Sequence, residues 1–179
     1  LNMTQLNRQH DSALCKVFIT DSHQIMREGL ISLLEQEETL EIVGQADSGG
    51  GTLMRIARNA PDVLILDISL PDWDGLEFCR EIKKRFPGIR LVCLTHNASA
   101  HVISSALESG VLAYLLKQNS ILELREALRW AVENKPYLSA EIRAIMDRHK
   151  QRSSQNASRS ELNKREIEVI RYLANGLST

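Results

Sequence analysis

Four side chains that can take part in phosphoryl chemistry lie at the ends of short apolar runs. Asp21 follows the run KVFIT, Asp67 follows VLIL, Thr95 ends IRLVCLT, and Lys117 ends VLAYLLK. If each run is a strand of one parallel sheet, these residues meet at the carboxyl edge, where open α/β sheets place their chemistry. Two carboxylates, a hydroxyl and an ammonium are then close enough to act on one phosphoryl group.

Within this set Asp67 is the candidate nucleophile, because a carboxylate can accept a phosphoryl group as an acyl phosphate. Lys117 would pair with the added negative charge, and Thr95 would donate a hydrogen bond to a phosphoryl oxygen. Asp21 and Asp67 can together hold Mg²⁺, which prefers oxygen ligands and usually takes one or two carboxylates. A purely structural interpretation stays open, in which Lys117 only neutralises two acids at strand ends.

An alternation of strands and helices must position these residues. The run at 63–66 is apolar throughout, as in a central parallel strand buried on both faces. Glycines 49–51 are predicted as a loop, and Ser120 with Glu123 as a capping box. Strands are predicted at 16–20, 40–46, 63–66, 89–95 and 111–117, and helices at about 25–36, 53–59, 76–85, 102–109 and 120–134. This pattern indicates an α/β fold with a five-stranded, doubly wound parallel sheet.

The character of the chain changes after residue 136. Residues 139–151 (SAEIRAIMDRHKQ) predict a charged linker helix, and 152–160 (RSSQNASRS) predict a polar linker that cannot bury a core. Residues 162–177 again have amphipathic helical spacing. The predicted organisation is an N-terminal tail at 1–14, the α/β domain at 15–136, a linker helix and polar linker at 137–160, and the start of an all-α module at 161–179.

Composition constrains the setting in which the protein works. The net charge is −1 and aromatic residues make up 4% of the chain, so base-stacking platforms for single-stranded nucleic acid are not expected. The three cysteines are widely spaced and form no CxxC pair, which is typical of free thiols in a reducing cytoplasm. The sequence shows no signal-peptide pattern and no stretch of membrane-spanning length. It therefore predicts a cytoplasmic protein that does not contact a membrane.

Five stretches taken together resemble one protein family: KVFITDSHQIMREGL, PDVLILDISLPDWDG, LVCLT, AYLLK and LNKREIEVIRYLANGLS. They are similar to a bacterial two-component response regulator, with a flavodoxin-like receiver domain followed by a LuxR-type (NarL/FixJ-like) helix-turn-helix. The resemblance runs roughly from Cys15 to the end of the chain. It implies a transcription-regulating phosphoprotein whose partner is a sensor histidine kinase. It implies no enzyme beyond self-catalysed phosphorylation and dephosphorylation.

The resemblance also implies a role for individual residues. Asp67 would be the phosphoacceptor, and Lys117 would contact the phosphoryl group. Mg²⁺ would be bound by Asp21, Asp67 and the backbone carbonyl of Ser69. The switch residues would be Thr95 and Tyr114. Phosphorylation would draw in Thr95 and reposition Tyr114. The face of the fourth helix, fifth strand and fifth helix would then control homodimerisation. DNA binding is expected only of a full-length protein, because the recognition helix comes after the first helix of the motif and is not within these residues.

One position departs from the family pattern. The acidic pair after the first strand reads Asp21-Ser22, so a serine stands where the direct metal ligand is usually found. A charge pair in contact at a partly screened site contributes about 4 kcal/mol, so Mg²⁺ binding is expected to weaken by up to about three orders of magnitude. The alternative is therefore an atypical receiver with an impaired magnesium site, acting as a phosphorylation-independent interaction module.

Four further positions bear on these interpretations. His96 after Thr95 is bulkier than the family pattern, and it either narrows access to Asp67 or points to solvent. His23, in the loop after the first strand, is not an evident metal ligand from the sequence. A phosphohydrolase of the haloacid dehalogenase type needs an acid two positions after the nucleophile, where this chain has Ser69. A flavodoxin-like carrier needs a phosphate-binding first loop, where residues 21–24 supply an acid.

Overall fold

The computed structural model of the protein describes residues 14–152. The predicted tail at 1–14, apart from Leu14, and the predicted linker and helix-turn-helix start beyond residue 152 lie outside the described residues. Within the described range no helix has the length and apolar character needed to cross a lipid bilayer.

Within residues 14–152 six parallel strands form one sheet, and helices connect them. The strands are β1 Cys15–Thr20, β2 Leu40–Ala46, β3 Val63–Leu66, β4 Arg90–Thr95, β5 Val111–Leu116 and β6 Tyr137–Leu138. The helices are α1 Gln24–Leu34, α2 Gly49–Ile56, α3 Gly75–Arg85, α4 Ala100–Glu108, α5 Ile121–Val132 and α6 at residues 140–152. The strand order is β2-β1-β3-β4-β5-β6, so the predicted doubly wound parallel fold is confirmed.

Strand β3 lies near the centre of the sheet, and both of its faces are buried. Leu64 and Leu66 pack into the core beneath α2, α3 and α4, whereas Val63 and Ile65 pack into the core beneath α1 and α5. Burying each such side chain contributes about 1.5–3 kcal/mol. The uninterrupted apolar run follows from this position, because β3 has no solvent-facing side and a polar residue anywhere in it would be buried.

The sheet has one strand more than the five predicted. Tyr137 and Leu138 of β6 pair in parallel with Ala113 and Tyr114 of β5. A two-residue strand is too short to show the alternation by which strands are identified in sequence. Just beyond it, Ile142 of α6 is completely buried in the core that also contains Tyr114, so the packed core continues past residue 136.

The prediction of a loop at 49–51 is wrong, because these glycines form the first turn of α2. Ser48 caps the helix by accepting a hydrogen bond from the Gly51 amide. The Asp72 carboxylate accepts hydrogen bonds from the amides of Gly49 and Gly50, each at 2.8 Å. These first-turn amides have no partner within a helix. A side chain from the loop after β3 therefore completes the start of α2.

Candidate functional site

The sheet brings the four predicted residues to one edge. Asp21 and Asp67 directly follow β1 and β3, Thr95 is the last residue of β4, and Lys117 directly follows β5. Backbone hydrogen bonds continue past the strand ends: the Asp67 amide donates to the Thr20 carbonyl and the Lys117 amide to the Thr95 carbonyl, both at 2.9 Å. The loop residues are thus fixed in register by the sheet itself.

Lys117 lies between the two carboxylates. Its Nζ is 2.5 Å from Oδ2 of Asp21 and 2.6 Å from Oδ2 of Asp67. The three side chains are only 1%, 3% and 1% exposed, respectively. Burial alone would lower the pKa of Lys117, but hydrogen bonds to Asp21 and Asp67 raise it above its ordinary value. The lysine is therefore a fixed positive charge next to two acids.

The Asp67 carboxylate is ionised in this environment. Its Oδ1 accepts a hydrogen bond from the Ser69 amide at 2.9 Å. Burial acts to raise the pKa of Asp67, but hydrogen bonds from Lys117, Ser69 and Thr95 outweigh burial and hold the pKa below its ordinary value. An ionised carboxylate at the carboxyl end of a central strand is chemically competent as a nucleophile.

A third potential ligand, His23, lies next to Asp21. Oδ1 of Asp21 accepts from the backbone amide of His23 at 2.8 Å and lies 3.0 Å from Nδ1 of its ring. Asp21, His23 and Asp67 each offer one ligand atom, and these atoms all lie within 4.8 Å of one another. Two carboxylates and an imidazole are a donor set that fits a divalent cation. Ser22 is exposed, with its hydroxyl 3.4 Å from the same imidazole nitrogen.

The predicted switch residues are connected through the loop after β4. Tyr114 is completely buried, and its hydroxyl donates to the Asn97 carbonyl at 2.8 Å. The Asn97 amide in turn faces Oγ1 of Thr95 at 3.4 Å. Burial, followed by the nearby acidic groups Cys93 and Asp67, raises the pKa of Tyr114, so the phenol keeps its proton and remains a donor.

The same tyrosine contacts the last strand through its backbone. Its carbonyl accepts from the Ser139 amide at 3.4 Å, and Leu138 is its partner in the β5–β6 ladder. The sequence did not associate Ser139 with the site, because Ser139 follows β6 and a two-residue strand cannot be detected from the sequence.

His96 and Arg27 lie near the site. His96 is exposed, so the interpretation in which it points to solvent is the correct one. Arg27 of α1 was not predicted, yet its Nη1 donates to the Asp21 carbonyl at 2.7 Å and its Nε to the Gln45 side chain at 2.8 Å. It ties the residue after β1 to the adjacent strand β2 and so helps to position Asp21.

Comparison with known proteins places the chain among signalling proteins. Residues 17–129 match the response regulator receiver domain family. The chain is 32% identical over 164 residues to the response regulator protein VraR of Staphylococcus saprophyticus, an alignment that covers 91% of this chain and 77% of VraR.

Two solved structures of the protein RcsB are also similar. The isolated receiver (REC) domain of RcsB from Salmonella enterica serovar Typhimurium, solved with the phosphomimetic BeF₃⁻, matches with a TM-score of 0.71 at 26% identity, covering 74% of this chain and 99% of that one. A structure of two RcsB dimers bound to two parallel DNAs matches with a TM-score of 0.71 at 26% identity, covering 75% of this chain and 68% of that one.

Proposed function

The chain belongs to the response regulator receiver family, and on that premise we propose that Asp67 accepts a phosphoryl group from a sensor histidine kinase. The observation that carries the proposal is the ionised Asp67 carboxylate at the carboxyl edge of the sheet, 2.6 Å from the buried Lys117 ammonium. A related receiver domain has been solved with a phosphomimetic, which supports a phosphoryl group as the physiological input.

The chemistry follows from the arrangement of the side chains. A carboxylate oxygen of Asp67 attacks the phosphorus of the phosphohistidine, the P–N bond breaks, and the imidazole leaves with the bonding electrons and takes up a proton. The product is an acyl phosphate whose phosphoryl group carries a charge of about −1.5 to −2, so the side chain gains about one negative charge over the ionised carboxylate that it replaces. Lys117 is positioned to pair with that charge, and Thr95 to donate a hydrogen bond to it.

A divalent cation belongs to this chemistry, and Asp21, Asp67 and the Ser69 carbonyl are the residues that we propose would hold it. When bound, the ion supplies positive charge to the phosphoryl oxygens. The chain itself supplies one acid fewer than the family pattern, because Ser22 carries no carboxylate. We therefore expect Mg²⁺ to bind weakly.

The output side of the proposal follows the contacts of Tyr114. Thr95, Asn97, Tyr114 and Ser139 form consecutive contacts from the phosphoacceptor edge to the start of α6. A phosphoryl group that draws Thr95 toward Asp67 would alter the first contact and, through it, the packing of Tyr114 and α6. In this scheme α6 carries the state of Asp67 toward the residues that follow.

We further propose that the chain forms a weak homodimer through α1 and α5. Ile25 of α1 is 85% exposed and lines a groove of about 290 Å³ between the two helices. Leu122 of α5 does not line this groove but is 69% exposed next to Ile121, which does. The occupant we propose is a second copy, since a related protein of the same fold is found as dimers on DNA. The sequence predicted dimerisation through the face of α4, β5 and α5. Because β6 pairs with the free edge of β5, we propose the face of α1 and α5 instead.

We propose DNA binding and transcriptional control on the strength of the DNA-bound relative. We propose regulation rather than metabolic catalysis, with self-catalysed gain and loss of the phosphoryl group as the only chemistry. The three free cysteines support the cytoplasmic location predicted from the sequence.

Incubation with acetyl phosphate and Mg²⁺, followed by intact-protein mass spectrometry, tests the proposal. We expect wild type to gain one phosphoryl group and Asp67→Asn to gain none. Asp47→Asn, which removes an exposed acid just after β2, is the matched control and should behave as wild type. The second candidate function, a phosphorylation-independent interaction module, is favoured by Ser22. It would be supported if wild type gained no phosphoryl group at any Mg²⁺ concentration.

A further inference from the structure

We propose that His23 completes the cation site in place of the carboxylate that Ser22 lacks, and that the site therefore prefers a first-row transition-metal ion over Mg²⁺. This inference rests on the proposed function, since it concerns a cation at the same sheet edge. It adds a nitrogen ligand that the acidic-pair pattern of the sequence does not contain.

The position of the His23 ring supports this role. Its Nδ1 lies within hydrogen-bond distance of Oδ1 of Asp21, at 3.0 Å. A cation would take the place of the proton between these two atoms, and the neutral ring would then carry its proton on Nε2. Adjacent ligands of an octahedral ion with bonds of about 2.1 Å are separated by about 3.0 Å, so the two atoms already have the spacing of neighbouring ligands. The Asp67 ligand atom lies within 4.8 Å of both. The ring is held close by the short loop, because the His23 amide itself donates to Asp21 at 2.8 Å.

Lys117 determines which carboxylate oxygens a cation can use. Its ammonium contacts Oδ2 of both Asp21 and Asp67, so the two Oδ1 atoms are the ones that the lysine does not bind. Each Oδ1 accepts one backbone hydrogen bond, from His23 and Ser69 respectively, and keeps a second lone pair for an ion. Oδ1 of Asp21 is the atom next to the His23 ring. The ring is 65% exposed, so it can turn toward an ion without disturbing the core.

Because the site carries little net charge, the type of ligand atom, oxygen or nitrogen, decides which divalent ion binds best. Two carboxylates and one ammonium sum to a charge of about −1, so Coulomb attraction for any divalent ion is weaker than at a site with a third acid. A neutral imidazole adds no charge, but it adds a nitrogen ligand. Mg²⁺ binds oxygen and accepts nitrogen poorly, whereas the later first-row ions, such as Ni²⁺, Cu²⁺ and Zn²⁺, bind imidazole well. The replacement of an acid by His23 thus weakens Mg²⁺ binding more than it weakens binding of those ions.

Other histidines in the described residues do not offer the same contact. His96, His101 and His149 are exposed, and none of them belongs to the cluster of potential ligands formed by Asp21, His23 and Asp67. His101 on α4 is therefore a suitable control position, because its removal takes away an exposed imidazole from outside the cluster.

The test uses Cu²⁺ as the probe ion and the full chain. Electron paramagnetic resonance of bound Cu²⁺ reports affinity, competition by Mg²⁺, and hyperfine coupling to a ligand nitrogen. We expect wild type to show ¹⁴N coupling that changes to ¹⁵N coupling when histidine is labelled. We expect His23→Ala to lose this coupling and to lower Cu²⁺ affinity about tenfold or more, with at most about a twofold change for Mg²⁺. His101→Ala should match wild type in all three respects.

The outcomes separate this inference from the function on which it rests. Cu²⁺ that binds in an Asp67-dependent manner without nitrogen coupling would overturn the role of His23 and leave the phosphoacceptor site intact. Equal losses for Cu²⁺ and Mg²⁺ in His23→Ala would also overturn it, since His23 would then only position Asp21. Failure of both ions to bind wild type would remove the cation site altogether. The spectrum of wild type decides the matter even if His23→Ala does not fold.

Discussion

The Nζ atom of Lys117 lies 2.6 Å from Oδ2 of Asp67, although fifty positions separate the two residues in the sequence. The same nitrogen contacts Asp21 at 2.5 Å. One cation therefore compensates two buried acids, and the stability of this sheet edge depends on it.

Replacing Lys117 by Met should destabilise the protein and reverse the pH dependence of this site. Removing one partner of a buried ion pair leaves an uncompensated charge and costs about 3–5 kcal/mol at neutral pH. In wild type the pKa of Asp67 lies below its ordinary 3.8, so its stabilising contribution is present above that pH and is lost as the pH falls through the folded value.

In Lys117→Met the repulsion between Asp21 and Asp67 should instead raise a carboxyl pKa above its ordinary value. The folded variant then binds more protons than the unfolded chain, so its stability should increase as the pH falls from 7 toward about 5. Urea denaturation at several pH values measures both effects. Lys135→Met, which breaks an exposed pair with Glu133, should change little. A Lys117→Met protein as stable as that control would refute the dependence on Lys117.

Ser22→Asp should restore Mg²⁺ affinity. The added carboxylate lies next to Asp21, and one contacting charge pair contributes about 4 kcal/mol, so calorimetry should show Mg²⁺ binding tightened by up to about three orders of magnitude. Labelling of Asp67 by acetyl phosphate should become faster and should need less Mg²⁺. Without metal the third acid should lower stability, which Mg²⁺ should recover by mass action.

Ser22→Asn is the matched control, because asparagine has the shape of aspartate without its charge. It should bind Mg²⁺ no more tightly than wild type. If wild type already bound Mg²⁺ and accepted label as readily as Ser22→Asp, Ser22 would be a tolerated variation and the interpretation as an impaired site would be wrong.

Ile142→Ala should destabilise the receiver as a whole. Ile142 of α6 is completely buried in the core with Tyr114, and truncation of such a residue costs about 2–5 kcal/mol. Ile145, one turn on, is only partly buried, so Ile145→Ala should cost less. Denaturant unfolding followed by circular dichroism tests this: loss of α6 alone, with unchanged unfolding of the sheet, would show that α6 is not part of the receiver core.

Leu122→Lys should weaken self-association without unfolding the protein. Leu122 of α5 is 69% exposed, so a charge there costs little in a monomer but is costly in an apolar interface. Sedimentation equilibrium at high protein concentration should show wild type dimerising and Leu122→Lys monomeric. Met54→Lys, at a residue of α2 that is 60% exposed, should dimerise as wild type. A wild type that is strictly monomeric, with or without a phosphoryl mimic, would rule out the α1–α5 interface.

The sequence predicted the sheet and its functional edge because both depend on local patterns. Buried parallel strands such as Val63–Leu66 are continuous apolar runs, and the residue after each run lies at the carboxyl edge. The convergence of Asp21, Asp67, Thr95 and Lys117 follows from these two rules alone.

The features that the sequence did not predict depend on contacts between distant residues. Asp72 converts a glycine run into a helix start by binding the amides of Gly49 and Gly50, and no local pattern indicates that contact. Strand β6 exists because β5 offers a free edge to Tyr137. The approach of the His23 ring to Asp21 depends on the loop conformation after β1, which the residue types leave open.

The most direct measurement identifies the residue that carries the phosphoryl group. After incubation with acetyl phosphate and Mg²⁺, reduction with borohydride converts an aspartyl phosphate to homoserine, which peptide mass spectrometry locates in the sequence. We expect homoserine at position 67 in wild type, in an amount that rises with the Mg²⁺ concentration. In Lys117→Met we expect only a small fraction of the wild-type amount. Homoserine at another acidic residue, or none at position 67 when the intact protein carries a phosphoryl group, would contradict the assignment of Asp67 as the phosphoacceptor.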